Sequence, residues 1–266
     1  MNEKLPSLLA TGWNRGLIEI RQFLRQREAV VFTLMFPVML LLIFGSVFKG
    51  TIALGVSFSQ YFLAGMIASG LVNSGFQGLA VAIPLERDDG TLKRLRGTPM
   101  PPMAYFIGKT VLIVVTTVAQ IFMLLLIGVF LFGVSLPTDI HRWLDLLWII
   151  GLGASVSTLL GIAFSSVPKN GRSASAIVVP IVLVLQFTSG VYFIFNQLPV
   201  WMQDLASIFP LRWMTQGVRS VFLPQSFAVQ EVAHSWELEK IALILGAWLV
   251  VGLILAVKTF KWERDR

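Results

Sequence analysis

The chain has 266 residues, of which 56% are hydrophobic and 13% charged, with a mean hydropathy of +0.78 and a net charge of +7. Soluble domains carry about 25% charged residues, so this composition excludes a water-soluble globular domain, a disordered chain and a collagen-like one. No cysteine is present, which removes a disulfide frame, a thiolate metal site and a cysteine nucleophile, and the basic excess fits Lys and Arg gathered on cytoplasmic loops better than nucleic-acid binding.

In chain order, residues 1–28 form an amphipathic segment. Trp13, Leu17, Ile20 and Leu24 fall on one helical face, with Arg15, Gln22, Arg25 and Gln26 away from it. That pattern suits a helix lying in the membrane interface, its basic side toward anionic head groups. Six apolar runs follow, at Ala29–Phe48, Phe58–Ile83, Thr110–Val134, Leu146–Val167, Ile177–Phe195 and Ile241–Val257. Each is long enough to cross a bilayer, which takes roughly 17–25 helical residues. The first begins too late and runs too long for a secretory signal peptide.

None of the six runs contains Asp, Glu, Lys, Arg or His. A proton-coupled transporter needs titratable groups within its spans, and an embedded enzyme needs an acid or base near the reacting atoms. Neither is supplied. The two histidines, His141 and His234, lie far apart outside the runs, and with no cysteine they make a poor metal site. The polar residues inside the runs are neutral. Ser69, Asn73 and Gln77 are four apart and share a face of the second span; Gln120 and Gln186 lie in the third and fifth. Two readings stay open: interhelical hydrogen bonding, or a polar strip on a translocation path. Gly70, Ser74 and Gly78, like Gly153, Ser157 and Gly161, recur at spacing four and mark close helix packing.

Residues 84–102, between the second and third spans, carry acids first and bases last, as the helix dipole favours. Asp88 or Asp89 is placed to cap a short helix, and Gly97 with Pro99 to stop it. Its apolar face is only Leu92 and Leu95. A helix this short is marginal alone, so the face is expected to pack on something, a partner protein being the natural candidate; a charged loop is the other reading. Gly108-Lys109-Thr110 imitates the end of a phosphate-binding loop, but Met103 stands where the motif needs glycine and no strand precedes it. Lys109 is read instead as an interfacial anchor. Between 196 and 240, Leu198, Trp201, Leu205 and Phe209 repeat at helical spacing, then Met214, Val218 and Phe222 after Pro210. Two short helices bent at Pro210 are expected, lying on the outer leaflet or dipping into it. Asp204, Arg212 and Arg219 interrupt every window for a seventh span.

Sixteen of the Lys and Arg residues fall on one side of this arrangement; Lys49, Arg142, Arg212, Arg219 and Lys240 fall on the other. The asymmetry puts both termini in the cytoplasm. The expected fold is an all-α polytopic membrane protein, one transmembrane domain over 1–266.

Glu86-Arg-Asp-Asp-Gly90-Thr91-Leu92-Lys-Arg-Leu95-Arg-Gly-Thr98-Pro99 is similar to the Glu-x-x-x-Gly-Thr-Leu…Thr-Pro stretch of the membrane subunits of type-2 ABC exporters. Leu198-Pro-Val-Trp201…Phe209-Pro210…Val218-Arg219 resembles the last external region of that family. Phe36-Pro37 and Phe44-Gly45 resemble drug-export permeases of the daunorubicin type. The resemblance implies a permease in the bacterial cytoplasmic membrane, paired with a second copy or a related half-permease. Separate nucleotide-binding ATPase subunits would sit beneath it. ATP and Mg would be held there, with no cofactor on this chain. It implies that Glu86, Gly90, Thr91, Leu92 and Leu95 form the ATPase-coupling helix. It leaves Ser69, Asn73, Gln77, Gln120 and Gln186 as candidates for the path of an amphipathic or hydrophobic cargo such as a drug or lipid. A secondary transporter and a non-transporting scaffold are the competing readings.

Overall fold

The computed structural model describes residues 7–262. The first six residues of the 1–28 segment, and Arg264 and Arg266, lie outside the described residues. Ser7 caps α1 (Leu8–Arg25), its hydroxyl accepting from the Ala10 N–H. Among the described residues, six helices are long and apolar enough to cross a membrane. The first comprises α2 (Arg27–Val30), a π-helical turn at Val31–Met35 and α3 (Phe36–Val47). The second comprises α4 (Phe58–Leu71), a π-helical turn at Val72–Gln77 and α5 (Gly78–Asp88). The others are α7 (Pro102–Phe132), α8 (Ile140–Phe164), α9 (Gly171–Thr188) and α12 (Leu238–Thr259). Between them stand α6 (Thr91–Arg96), α10 (Val200–Ile208) and α11 (Pro210–Phe222).

The helices outrun the apolar runs. α7 starts eight residues before Thr110, and α8 six before Leu146. Hydropathy marks where lipid must be met, whereas a helix continues as long as its amides find intrahelical partners. The fifth span is displaced the other way: α9 ends at Thr188, Gly190 turns with φ +76°, and Phe195 lies in a separate 3₁₀ turn. A two-stranded hairpin of β1 (Thr51–Ala53) and β2 (Val56–Ser57), turning through Leu54 and Gly55, joins the first two spans. Hydrophobic patterning does not signal so short a ribbon.

The core centres on α4, which is buried from Tyr61 to Leu71. The small residues of α8 meet the π-helical turn of the second span. A Cβ on Gly161 would stand 2.7 Å from the Gly75 carbonyl, and one on Gly75 2.7 Å from Ser157 Cβ. The close approach of these two helices is therefore made by Ser157 and Gly161 on one and by Gly75 on the other; Gly153 meets the Leu71 side chain, and Gly70 packs against Gln120 of α7.

The 196–240 segment is a hairpin of two unlike helices. At the C-terminus of α11, the Phe222 carbonyl accepts from Gln60 at the start of α4 (2.7 Å), and Arg142 at the start of α8 donates to Val221 and Leu223. The turn at Pro210 lies much deeper. There the Ile208 carbonyl accepts from Trp248 Nε1 at 2.9 Å, ten residues into α12. At 1.5 Å per residue that is about 15 Å, half the thickness of a hydrocarbon core. The bend at Pro210 is as expected from sequence. α10 leaves Val200, Trp201, Leu205 and Ile208 exposed, whereas every residue of α11 is buried. A helix on the leaflet would not be, so α11 belongs to the core of the bundle.

Candidate functional site

The bundle has two distinct ends: one bearing α6, the other bearing the mouth of the α10–α11 hairpin. α6 is set by local chemistry. Gly90 turns the chain at φ +76°, a region L side chains enter only at a cost. Asp89 Oδ1 accepts from the Thr91 N–H at 2.8 Å and starts the helix. At the far end the Gly97 N–H returns to Lys93 and Arg94, and Thr98 Oγ1 donates to Leu95 at 2.7 Å.

Three consecutive charged residues precede this turn, and each ties it to different neighbours. Glu86 Oε2 accepts from Tyr105 Oη at 2.8 Å, and its other oxygen pairs with Lys109, both on α7. Arg87 donates to the carbonyls of Ser165 after α8 (3.3 Å) and Lys261 after α12 (3.2 Å). Asp88 Oδ2 accepts from the Gly171 N–H at the start of α9, at 2.6 Å. The root of α6 is thus a hub joined to four spans besides its own.

Lys109 extends the hub to α1. Its ammonium sits 2.8 Å from Glu19 Oε2, and Glu19 pairs in turn with Arg15. α1 reaches it because Gly12 and Gly16 carry no side chain. A Cβ on Gly12 would lie 2.6 Å from Ile107, and one on Gly16 2.7 Å from Val111. Gly12, Gly16 and Glu19 therefore form the face that packs on α7, while Trp13, Leu17 and Leu24 stay exposed. The reading of Lys109 as an interfacial anchor is corrected: it is 3% exposed, between two carboxylates. A lysine taken out of water needs such partners. Gly108-Lys109-Thr110 lies inside a helix rather than in a loop.

Leu92 is fully buried, packed with Leu79, Ile83, Tyr105 and Ile113, and Leu95 borders the same cluster. Burial of Leu92 therefore comes from this chain, not from a partner as its small face suggested. The surface that α6 leaves exposed is basic, with Lys93, Arg94 and Arg96. Glu86, Gly90, Thr91, Leu92 and Leu95 thus lie together at one end, but Glu86 is engaged within the chain.

The polar residues of the spans divide. Gln186 Nε2 donates to Ser69 Oγ and to Asn73 Oδ1, both at 2.8 Å; Asn73 Nδ2 donates to Ser69 Oγ at 3.2 Å. Tyr192 Oη closes the group on Gln186 Oε1 at 2.6 Å. Gln77, half-buried one turn further along, is not joined to it. Gln120 is buried against Gly70, and neither amide atom has a hydrogen-bond partner among the described residues.

A third polar group joins α11 to Glu231, just past the 3₁₀ turn at Gln225–Gln230. Glu231 Oε2 stands 3.0 Å from Arg212 Nη2, and Oε1 3.6 Å from Arg219 Nη1. Arg219 also donates to the Gly190 carbonyl, and its guanidinium covers the Tyr61 ring at 3.9 Å; that of Arg212 covers Phe195 at 3.7 Å. Sequence reasoning counted both arginines on the external side and as interruptions of a span, with Arg219 also in the family-like stretch, and gave no role to Glu19, Tyr105, Tyr192 or Glu231. A signal existed for Glu19: one acid in a basic helix, three residues from Gly16 and seven from Gly12, on one small-residue face.

The ABC-2 type transporter family matches residues 16–223, from α1 to the end of α11. The chain belongs to this family. Membrane subunits of the family have no ATPase of their own, and ATP is hydrolysed by a partner subunit. This ABC-2 permease, a multi-pass membrane protein, is 25% identical over 148 residues to the probable multidrug ABC transporter permease YbhR of Escherichia coli K12. The same match holds for the protein of that name in Escherichia coli O157:H7. The aligned stretch is 54% of this chain but 38% of those relatives, so the chain spans about two fifths of their length.

Proposed function

We propose that the chain is the membrane subunit of an exporter of amphipathic or hydrophobic compounds, with α6 as the element that receives movement from a separate nucleotide-binding ATPase. The hub formed by Glu86, Arg87 and Asp88 carries this reading. A displacement of α6 would pull on α7, α9, the ends of α8 and α12, and α1 through Lys109, so one local contact would reach most of the bundle. Leu92 and Leu95 anchor α6 in its own bundle, and Lys93 with Arg94 presents a basic surface to an acidic cleft below. α1, with Trp13, Leu17 and Leu24 turned outward, lies in the interface as part of the same platform. Two copies, or this chain and a related half-permease, complete the pathway. The multidrug description of YbhR supports drug-like cargo. The Ser69–Asn73–Gln186 group is a candidate for its path.

The deciding experiment reverses the exposed charges and spares the anchor. Lys93→Glu with Arg94→Glu should abolish co-purification of the ATPase subunit while the permease keeps its thermal unfolding temperature. Unchanged ATPase binding would remove α6 from the coupling role. Orientation is tested separately, since the chain has no cysteine. Cysteine at exposed Ser226 should react with an impermeant reagent on intact cells, and cysteine at Lys93 only after permeabilisation; the reverse pattern would invert the topology.

A further inference from the structure

A cleft of about 360 Å³ opens on the side of the bundle between α9 and α12, over a floor formed by α8 and the π-helical turn of the second span. Leu160, Leu185 and Leu255 form its walls. Ser166 and Thr259 stand at its end nearest α6, but their hydroxyls donate to backbone carbonyls: Ser166 to Ala163, and Thr259 to Ala163 and Leu255. The walls therefore stay apolar to the mouth. The other end is closed by Pro210, at the hairpin turn, and by Trp248, whose indole is held on the Ile208 carbonyl.

The depth of the cleft identifies what fills it. From Trp248 to Thr259, α12 rises about 16 Å at 1.5 Å per residue, and half of a hydrocarbon core is about 15 Å. The cleft is therefore one leaflet deep, roofed at the bilayer midplane. A helix of a second protein would run past such a roof; an acyl chain ends there. Charge at the mouth selects the head group. Lys258 precedes Thr259, stands three residues after Leu255 and so on the same side of α12, and is exposed. Asp88, the nearby acid on the second span, is committed to the Gly171 N–H. Basic pockets between spans at a membrane face bind anionic lipid head groups.

We propose that this cleft holds one acyl chain of an anionic phospholipid from the leaflet at the α6 end, with its phosphate at Lys258. The inference does not depend on α6 contacting an ATPase. A resident lipid would wedge α9 away from α12 just under the hairpin turn, so leaflet composition would act on the packing of the hairpin.

The test uses the full chain in nanodiscs, with phosphatidylglycerol or phosphatidylcholine brominated on the acyl chain. Quenching of Trp248 is read as the difference between wild type and Trp248→Phe. At equal mole fraction, phosphatidylglycerol should occupy the site about fivefold more than phosphatidylcholine, from the attraction of one basic side chain for anionic lipid. Lys258→Glu, on the surface, should erase that preference while both lipids still quench, and Arg172→Glu, on the far side of α9, should leave it in place. Leu160→Phe with Leu185→Phe should fill the cleft and release the lipid seen by native mass spectrometry. Equal quenching by both lipids in wild type, or no quenching of Trp248, overturns the proposal. So does efficient cross-linking between copies carrying cysteine at Leu255, which would make the cleft a protomer interface.

Discussion

At the α6 end two acids and two bases share one site, Arg15, Glu19, Lys109 and Glu86; on α11 two bases, Arg212 and Arg219, share the single acid Glu231. The first group is balanced in charge and made of side chains, and Arg15 and Glu86 keep partial contact with solvent. The second is almost wholly buried and held by fixed groups: the Gly190 carbonyl and the rings of Tyr61 and Phe195. Its partners do not rotate away. The comparison teaches that charge is satisfied in two ways: by a chain of alternating side chains at the α6 end, while the hairpin is clamped into the bundle by one acid, a carbonyl and two rings.

The largest effect is expected where the clamp loses its only acid. Glu231→Gln leaves two buried guanidiniums facing one another, and breaking a buried ion pair in this way costs about 3–5 kcal/mol. Thermal unfolding in detergent should show a greater loss than any other single change, whereas Arg212→Gln, which leaves Arg219 matched to Glu231, should be milder. If the order is reversed, the arginines are held by their rings rather than by charge.

Next comes Lys109→Met, which leaves Glu86 with no cation and Glu19 with Arg15 alone, and should cost about 3 kcal/mol on the same grounds. Here function should respond beyond stability. Lys109→Arg restores the charge, so it should recover folding; whether it also restores transport-linked ATP hydrolysis shows how far the geometry of the hub matters. Equal loss of folding and coupling in every variant would make the cluster a staple and no more.

A smaller effect belongs to Gln186→Leu. Interhelical hydrogen bonds in membranes contribute about 0.6 kcal/mol on average and up to about 1.7, so stability should fall within that range. A cargo-resistance panel should change profile at the same time if Ser69 and Asn73 line the path; an unchanged profile assigns the group to packing.

The smallest is Gln120→Leu. Its amide is buried with neither end bonded among the described residues, and removing an unsatisfied polar group is neutral or stabilising. The unfolding temperature should hold or rise. A marked drop would mean that the amide is bonded in the assembled transporter.

Much of this architecture is legible in the sequence, because lipid imposes a simple rule. A span must be apolar for the width of the bilayer, and its amides must bond internally. The existence of six long apolar helices, the turn at Gly90 and the bend at Pro210 follow from that rule and from local backbone chemistry. Helix ends are less legible: α7 reaches back to Pro102 across Lys109, a residue that hydropathy counts as outside the membrane.

The sequence by itself determined the number of apolar helices, the start and stop of α6 and the family of the chain, since each depends on residues within a few turns of one another. Tertiary structure alone decided that Lys109 meets Glu19 across 90 residues, that Arg219 is buried on Tyr61 and Gly190, that Gln186 rather than Gln77 or Gln120 joins Ser69 and Asn73, and that Leu92 is already covered. The physical reason is common to all four. A buried polar group is tolerable only where a partner stands, and a short apolar face is satisfied by whichever surface reaches it. Partners and surfaces this far along the chain are brought together by helix packing, at glycines whose missing side chains leave no hydrophobic period to read.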